Sequence, residues 1–176
     1  LLSAGAYADV TGCWDVNADG SIIVKVTGYG KVKEPISSDE TFCFYSNHSF
    51  DDSSNIKGTW RQNGSSFTAS YNKKQIMALF KKILKQLAPG AKISLTIKKA
   101  QITGTESQDK ISGKWYVSGN GYIYYKGRKA SLSFTANLKY DSYDFTAFDS
   151  NQAANSKAAF NSIAEQIAAS VTEQIR

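Results

Sequence analysis

SLSFTANLKY, residues 131–140, alternates without a break. Leu132, Phe134, Ala136, Leu138 and Tyr140 fall on one side, and Ser131, Ser133, Thr135, Asn137 and Lys139 on the other. Successive side chains of a strand point to opposite faces, so this stretch predicts a β-strand with one buried and one wet face. The same period recurs along the chain. SSFTASY puts Phe67, Ala69 and Tyr71 together, TFCFY sets Phe42 and Phe44 against Cys43, and AKISLTIKK alternates Ile93, Leu95 and Ile97 with polar residues. SIIVKVTGYGKVK reads as one long strand with a bend or bulge at Gly28 and Gly30.

Asn17-Ala18-Asp19-Gly20, Asn63-Gly64 and Asn120-Gly121 carry the turn chemistry of tight hairpins, since Asn-Gly and Asp-Gly supply positive φ at little cost. Strands joined by such turns make a meander, and closing a meander removes its exposed edges. The expected fold is therefore mainly β: an antiparallel up-and-down barrel of about eight to ten strands. Two helices accompany it. KKQIMALFKKILKQLAPG repeats Ile76, Leu79, Phe80, Ile83, Leu84 and Leu87 at helical spacing and stops at Pro89-Gly90, which predicts an amphipathic helix near 73–88 inserted among the strands. Phe160, Ile163, Ala164, Ile167, Val171 and Ile175 mark a C-terminal amphipathic helix within 151–176, and the barrel is expected over 9–150.

With 176 residues, 41% of them apolar and 12% aromatic, the chain has enough material to bury a core without metals. Its net charge of +6 is unevenly spread. Between Ser53 and Thr105 there is no Asp or Glu, while Lys57, Arg61, Lys73, Lys74, Lys81, Lys82, Lys85, Lys92, Lys98 and Lys99 all occur there. Lys73, Lys74, Lys81, Lys82 and Lys85 lie on the polar side of the inserted helix and are the candidate contacts to an anionic partner, a lipid surface or a polymer. A merely solvated basic face accounts for the same pattern.

Ala6-Tyr7-Ala8 before Asp9 has the small-x-small form of a signal-peptidase site, so residues 1–8 are read as the remnant of a signal peptide and the protein as secreted or periplasmic. VTGC at 10–13 resembles a lipoprotein cleavage box, although Asp9 interrupts the apolar run such a signal needs. Cys13 and Cys43 are the only cysteines, an even count that in an exported protein predicts a disulfide. Cys13 falls off the Trp14 face and Cys43 off the Phe42/Phe44 face, so a bridge would pin the first strand to the third from outside the core.

All three tryptophans stand in one frame: Val10-x-Gly12-x-Trp14, Ile56-x-Gly58-x-Trp60 and Ile111-x-Gly113-x-Trp115. On a strand these residues share a face, with the Trp burying a large surface and the Gly making room for a neighbouring backbone or side chain. Gly-x-Trp at the start of a first strand resembles the lipocalin signature, and IKGTWRQNGSSFTASY is similar to the Gly-Thr-Trp hairpin of avidin-type barrels; both are calycins. The resemblance implies an up-and-down barrel with a C-terminal helix and a small apolar ligand inside. The lipocalin Thr-Asp-Tyr motif has no counterpart here, Arg128 is the candidate for the late arginine that caps the Trp, and biotin contacts are not carried to Asn63 and Ser65.

Trp14, Trp60, Phe67, Trp115, Tyr122 and Phe134 are the expected ligand-facing residues, and they either line a cavity or fill a solid core. The helix near 73–88 would lie over that cavity as a lid. No nucleophile elbow, phosphate loop, Cys-x-x-Cys or His-Glu-x-x-His motif occurs, and His48, the single histidine, reads as a surface residue. Asp39-Glu40 and Asp51-Asp52 are read as polar loop acids with at most a weak hold on Ca²⁺. The function expected is an exported, non-enzymatic carrier of a small apolar ligand, without cofactor, metal or nucleic acid; the alternative is a protein that docks on anionic lipid or polymer through the basic helix.

Overall fold

The computed structural model describes residues 9–146 and 158–175. Eight antiparallel strands follow one another around a closed ring: β1 (Gly12–Val26), β2 (Gly30–Phe44), β3 (Ser49–Asp52), β4 (Lys57–Asn63), β5 (Ser66–Tyr71), β6 (Lys92–Ser107), β7 (Lys110–Tyr125) and β8 (Arg128–Thr146), which returns to β1. Helix α1 (Lys73–Leu87) joins β5 to β6, and α2 (Ala159–Gln174) follows β8. Residues 1–8, the expected signal-peptide remnant, lie outside the described residues, as do the first residues of the expected tail helix, 151–157.

Strand length divides the ring into two halves. Only Phe42–Phe44 of β2 pair with β3, and only Gln101–Thr105 of β6 pair with β5. Beyond those points β2, β1, β8, β7 and β6 continue as a long five-strand sheet while β3, β4 and β5 have ended. The two helices stand where the short strands stop. They pack on each other, α1 also touching β6 and α2 touching β1 and β2. Phe80 of α1 meets Phe134 of β8 at 5.9 Å between ring centroids, and Phe160 of α2 meets Trp115 and Tyr71 at 4.9 Å each. The C-terminal helix is thus no appendage: Phe160, Ile163, Ala164, Ile167 and Val171 belong to the same core as the barrel's inward residues.

The glycine–tryptophan frame is explained by close packing. A Cβ at Gly58 would run into the Ser70 carbonyl of β5, one at Gly113 into the Thr103 carbonyl of β6, and one at Gly12 into the Phe145 ring. Each Trp then buries its ring and donates its indole N–H: Trp14 to the Val10 carbonyl at 2.8 Å, Trp60 to the Tyr45 carbonyl at 2.9 Å, and Trp115 to the Tyr71 hydroxyl at 3.0 Å.

Three turn expectations are corrected. Asn17–Gly20 lies in mid β1 and Asn120–Gly121 in mid β7. Gly20 and Gly121 serve the close approach of strands, since a Cβ there would strike the carbonyls of Asn137 and Ser94. Gly28 and Gly30, expected as a bend or bulge within one strand, instead serve the β1–β2 hairpin turn, Gly28 inside it at φ 85° and Gly30 at the start of β2 at φ 141°. Asn63-Gly64 does turn β4 into β5, with Gly64 at φ 61°. Since β1 runs unbroken from Gly12 to Val26 and β2 from Gly30 to Phe44, the disulfide joins the first strand to the second and not to the third. Cys13 and Cys43 are bonded as direct partners on β1 and β2, 4.1 Å apart at Cα.

Candidate functional site

The expected ligand-facing residues do not form one group. Trp14, Trp60, Phe67, Trp115 and Phe134 point into the barrel and are buried in one continuous core. Phe44 packs edge-on to Trp60 at 5.9 Å and to Phe67 at 5.4 Å, and Phe160 of α2 reaches Trp115, so these rings meet other rings. Tyr122 is different: it is 55% exposed on the outer face of β7. Ile111, Trp115, Val117 and Ile123 set the inward parity of that strand, and an even-numbered residue takes the opposite side. Within α1, Ile76, Phe80, Ile83 and Leu84 are buried as the stripe requires, but Leu87, the last residue of the helix, is 48% exposed.

The acid pairs also depart from expectation. Asp39-Glu40 and Asp51-Asp52 lie in strands β2 and β3, not in loops, so neighbouring carboxylates point to opposite faces and do not converge on a cation. Among the described residues no group of three acidic, histidine or cysteine side chains is placed to hold a metal ion. Glu40 and Asp52 face inward, 3% and 5% exposed. Their burial was legible from parity: Glu40 shares the phase of Phe42 and Phe44, and Asp52 that of Phe50.

Around these two carboxylates the barrel meets α2. The Ser53 hydroxyl donates to Glu40 Oε2 at 2.9 Å, and the Ala159 backbone N–H donates to Glu40 Oε1 at 2.7 Å. The helix has no side-chain cap of its own at Ala158, so Glu40, from the barrel wall, takes that part. Asp52 Oδ2 accepts from the Tyr71 hydroxyl at 2.8 Å and Oδ1 from the Ser54 N–H at 2.8 Å, and Tyr71 in turn accepts from Trp115. Burial pushes the Asp52 carboxyl up to about 8, the nearby Glu40 charge adds to this, and the hydrogen bonds oppose it. Burial likewise raises Glu40, and Tyr71 stands well above the usual phenol value, chiefly through burial. The arrangement is closed to solvent and joins helix to barrel. Sequence reasoning missed Ser53 and Tyr71 as its members, since neither has a motif.

On the outside, Lys73, Lys74, Lys81, Lys82 and Lys85 of α1 are all exposed, as expected. Lys73 Nζ donates to the Lys98 carbonyl at 3.0 Å, so α1 lies along the edge of β6, whose own Lys92, Lys98 and Lys99 are exposed. The outer side of β6, β7 and β8 continues this surface. No Asp or Glu occurs in 92–105, 110–125 or 128–140. In one row across the sheet Lys92 neighbours Tyr124, which neighbours Lys129; in the next, Ser94 neighbours Tyr122 and Ser131. The Lys129 ammonium sits 4.8 Å from the Tyr122 ring centroid. Lys92, Ser94, Tyr122, Tyr124 and Lys129 line an open groove of about 560 Å³.

No protein-family model matches this sequence, and no curated protein matches it. One solved structure to which the chain is similar in outline is Ail, the attachment invasion locus protein of Yersinia pestis, at 10% identity and a TM-score of 0.26, covering 76% of this chain and 99% of that one. The outer residues of β8 run Lys129, Ser131, Ser133, Thr135, Asn137, Lys139 and Asp141, without the apolar band that a membrane-spanning barrel presents to lipid. Among the described residues no helix is long and apolar enough to cross a membrane.

Proposed function

We propose that this chain is an exported, non-enzymatic interaction protein that docks on an anionic lipid surface through the basic face built by α1 and the outer side of β6. The observation that carries this is the outward projection of all five α1 lysines beside a sheet face free of acids, while the apolar stripe of the same helix is held in the core. A basic amphipathic helix whose apolar side is already occupied has its charge left for a partner. Closely spaced cations near an anionic leaflet are worth about 1 kcal/mol each. Export is supported by the Cys13–Cys43 bridge, because such bonds persist in oxidising compartments.

The lipocalin-like reading is proposed at the level of architecture: a meandering eight-strand ring with a C-terminal helix suits the up-and-down barrels of that group. Carriage of a ligand inside the barrel has less support than surface docking. The inward rings pack on one another, and α2 contributes Phe160 to the same space.

Vesicle co-sedimentation tests the docking reading. Binding to vesicles with anionic lipid should weaken as salt rises, since the screening length is about 8 Å at physiological ionic strength. Lys81→Glu, Lys82→Glu and Lys85→Glu together should lower affinity by roughly a hundredfold or more, at about 1 kcal/mol for each lysine lost. Equal binding by this variant, or wild-type indifference to anionic vesicles, would sink the proposal. Binding to a soluble polyanion with none to vesicles would transfer the face to a polymer partner.

A further inference from the structure

Among the described residues, the large apolar side chains left exposed fall into two sets with opposite surroundings. Leu87, Tyr122 and Tyr124 are 48%, 55% and 51% exposed; Tyr143 and Phe145 are 61% and 45% exposed. Tyr122 stands opposite Ser131 near the start of β8, and Tyr143 lies near its other end, roughly 40 Å away at 3.3 Å per residue. Around Tyr143 lie Asp15, Asp39 and Asp144; its phenol is raised first by partial desolvation and then by the charges of these three aspartates. Around Tyr122 and Tyr124 the neighbouring strands supply Lys92, Lys129 and Arg128.

The remaining pieces converge on the second end. The α1–β6 connection runs from Leu87 through Gly90, which rests against the Tyr125 ring. Tyr125 leads directly into the Lys126-Gly127 turn, where both residues have positive φ, and then to Arg128 and Lys129. Lys85 sits one half-turn before Leu87 on the helix. This end therefore combines half-exposed Leu and Tyr side chains with Lys85, Lys92, Lys126, Arg128 and Lys129, and no carboxylate lies within these segments.

We infer that this tip is the part of the protein that enters an anionic membrane surface, with Tyr122, Tyr124 and Leu87 as interfacial anchors. Tyrosine rings favour the headgroup level, where an apolar body and a polar tip are both accommodated. The cations round them match the negative potential of an anionic leaflet. The inference rests on the lipid-docking reading and deepens it. The lysines of α1 supply the long-range, salt-sensitive attraction, and the tip supplies a short-range contribution that salt does not screen. The exposed residues at the far end would face repulsion from the same surface, because their neighbours are aspartates.

The experiment compares four proteins on vesicles of mixed zwitterionic and anionic phospholipid, at low and at high salt. They are the wild type, the α1 charge-reversal variant, the tip variant Leu87→Ser/Tyr122→Ser/Tyr124→Ser and the control Tyr143→Ser. All four sites are exposed, so each variant should keep the wild-type thermal midpoint, which is measured first; an exposed single replacement, Tyr122→Ser, serves if the triple variant melts early. The tip variant should lose about tenfold or more in affinity at both salts, as expected for withdrawing several apolar side chains from an interface. Tyr143→Ser should bind like the wild type. A tip variant that binds as well as the wild type, or an equal loss from Tyr143→Ser, overturns the tip assignment while leaving the docking reading intact if charge reversal still abolishes binding. Failure of the wild type to bind overturns both.

Discussion

Replacing Asp52 by Asn should change how stability depends on pH. In the unfolded chain this carboxyl titrates near 3.8, whereas burial holds it at about 8 in the folded protein. Between those values the folded state keeps a proton that the unfolded state has released. Stability contributed by the raised carboxyl is therefore complete below about pH 4 and is lost as pH rises towards 8. One group can impose a slope of at most about 1.4 kcal/mol per pH unit, so the wild type should lose about 2.7 kcal/mol between pH 5 and 7 from Asp52 alone. Glu40, raised in the same direction by burial, adds to the slope.

The Asn variant has no charge at any pH. Its carbonyl can still accept from Ser54, but the Tyr71 hydroxyl loses the acceptor it has now, at a cost of about 1 kcal/mol. The variant should thus be slightly less stable than the wild type at pH 5 and more stable at pH 8, with the curves crossing between. Urea unfolding followed by tryptophan fluorescence at four pH values gives the comparison, with an unchanged m-value as the sign that both proteins unfold the same surface. A wild-type stability that is flat or rising from pH 5 to 7, or a variant with the wild-type slope, would refute the assignment of a protonated Asp52.

Two further outcomes test the frame of the barrel. Trp60→Ala should destabilise by about 3–5 kcal/mol, the range for truncating a large aromatic in a core, read as a shift in the denaturation midpoint; an unchanged midpoint would show that the Gly-x-Trp repeat is not core. Cys13→Ser with Cys43→Ser removes a bridge spanning 30 residues, for which loop-closure entropy gives about 3.6 kcal/mol, and reduction of the unmodified protein should produce a similar loss.

What could be read without the structure was local. Alternation along SLSFTANLKY and SSFTASY, the helical stripe of α1 and the outward lysines all depend on the phase of neighbouring residues, and phase is carried by a short segment; the pairing of Cys13 with Cys43 followed from their being the only two cysteines. Glu40, Asp52 and Tyr122 obey the same phase. Their side-chain chemistry points the other way, since acids suggest wet loops and an aromatic ring suggests the core, and at these three positions parity prevails over residue type. Other features depend on residues far apart in the chain. A glycine that permits a turn and one that admits a neighbouring strand look alike, and only the carbonyls of Asn137 and Ser94 decide that Gly20 and Gly121 are the second kind. The amphipathic stripe of the tail helix predicts that it packs somewhere. That it fills the gap left by three short strands, with its first N–H held by Glu40 across 119 residues, follows from where β2 and β6 lose their strand partners. The gathering of Leu87, Tyr122 and Tyr124 at a basic end has the same origin. Ring closure sets which strand ends meet, and that is a property of the whole sheet, which no single stretch of sequence contains.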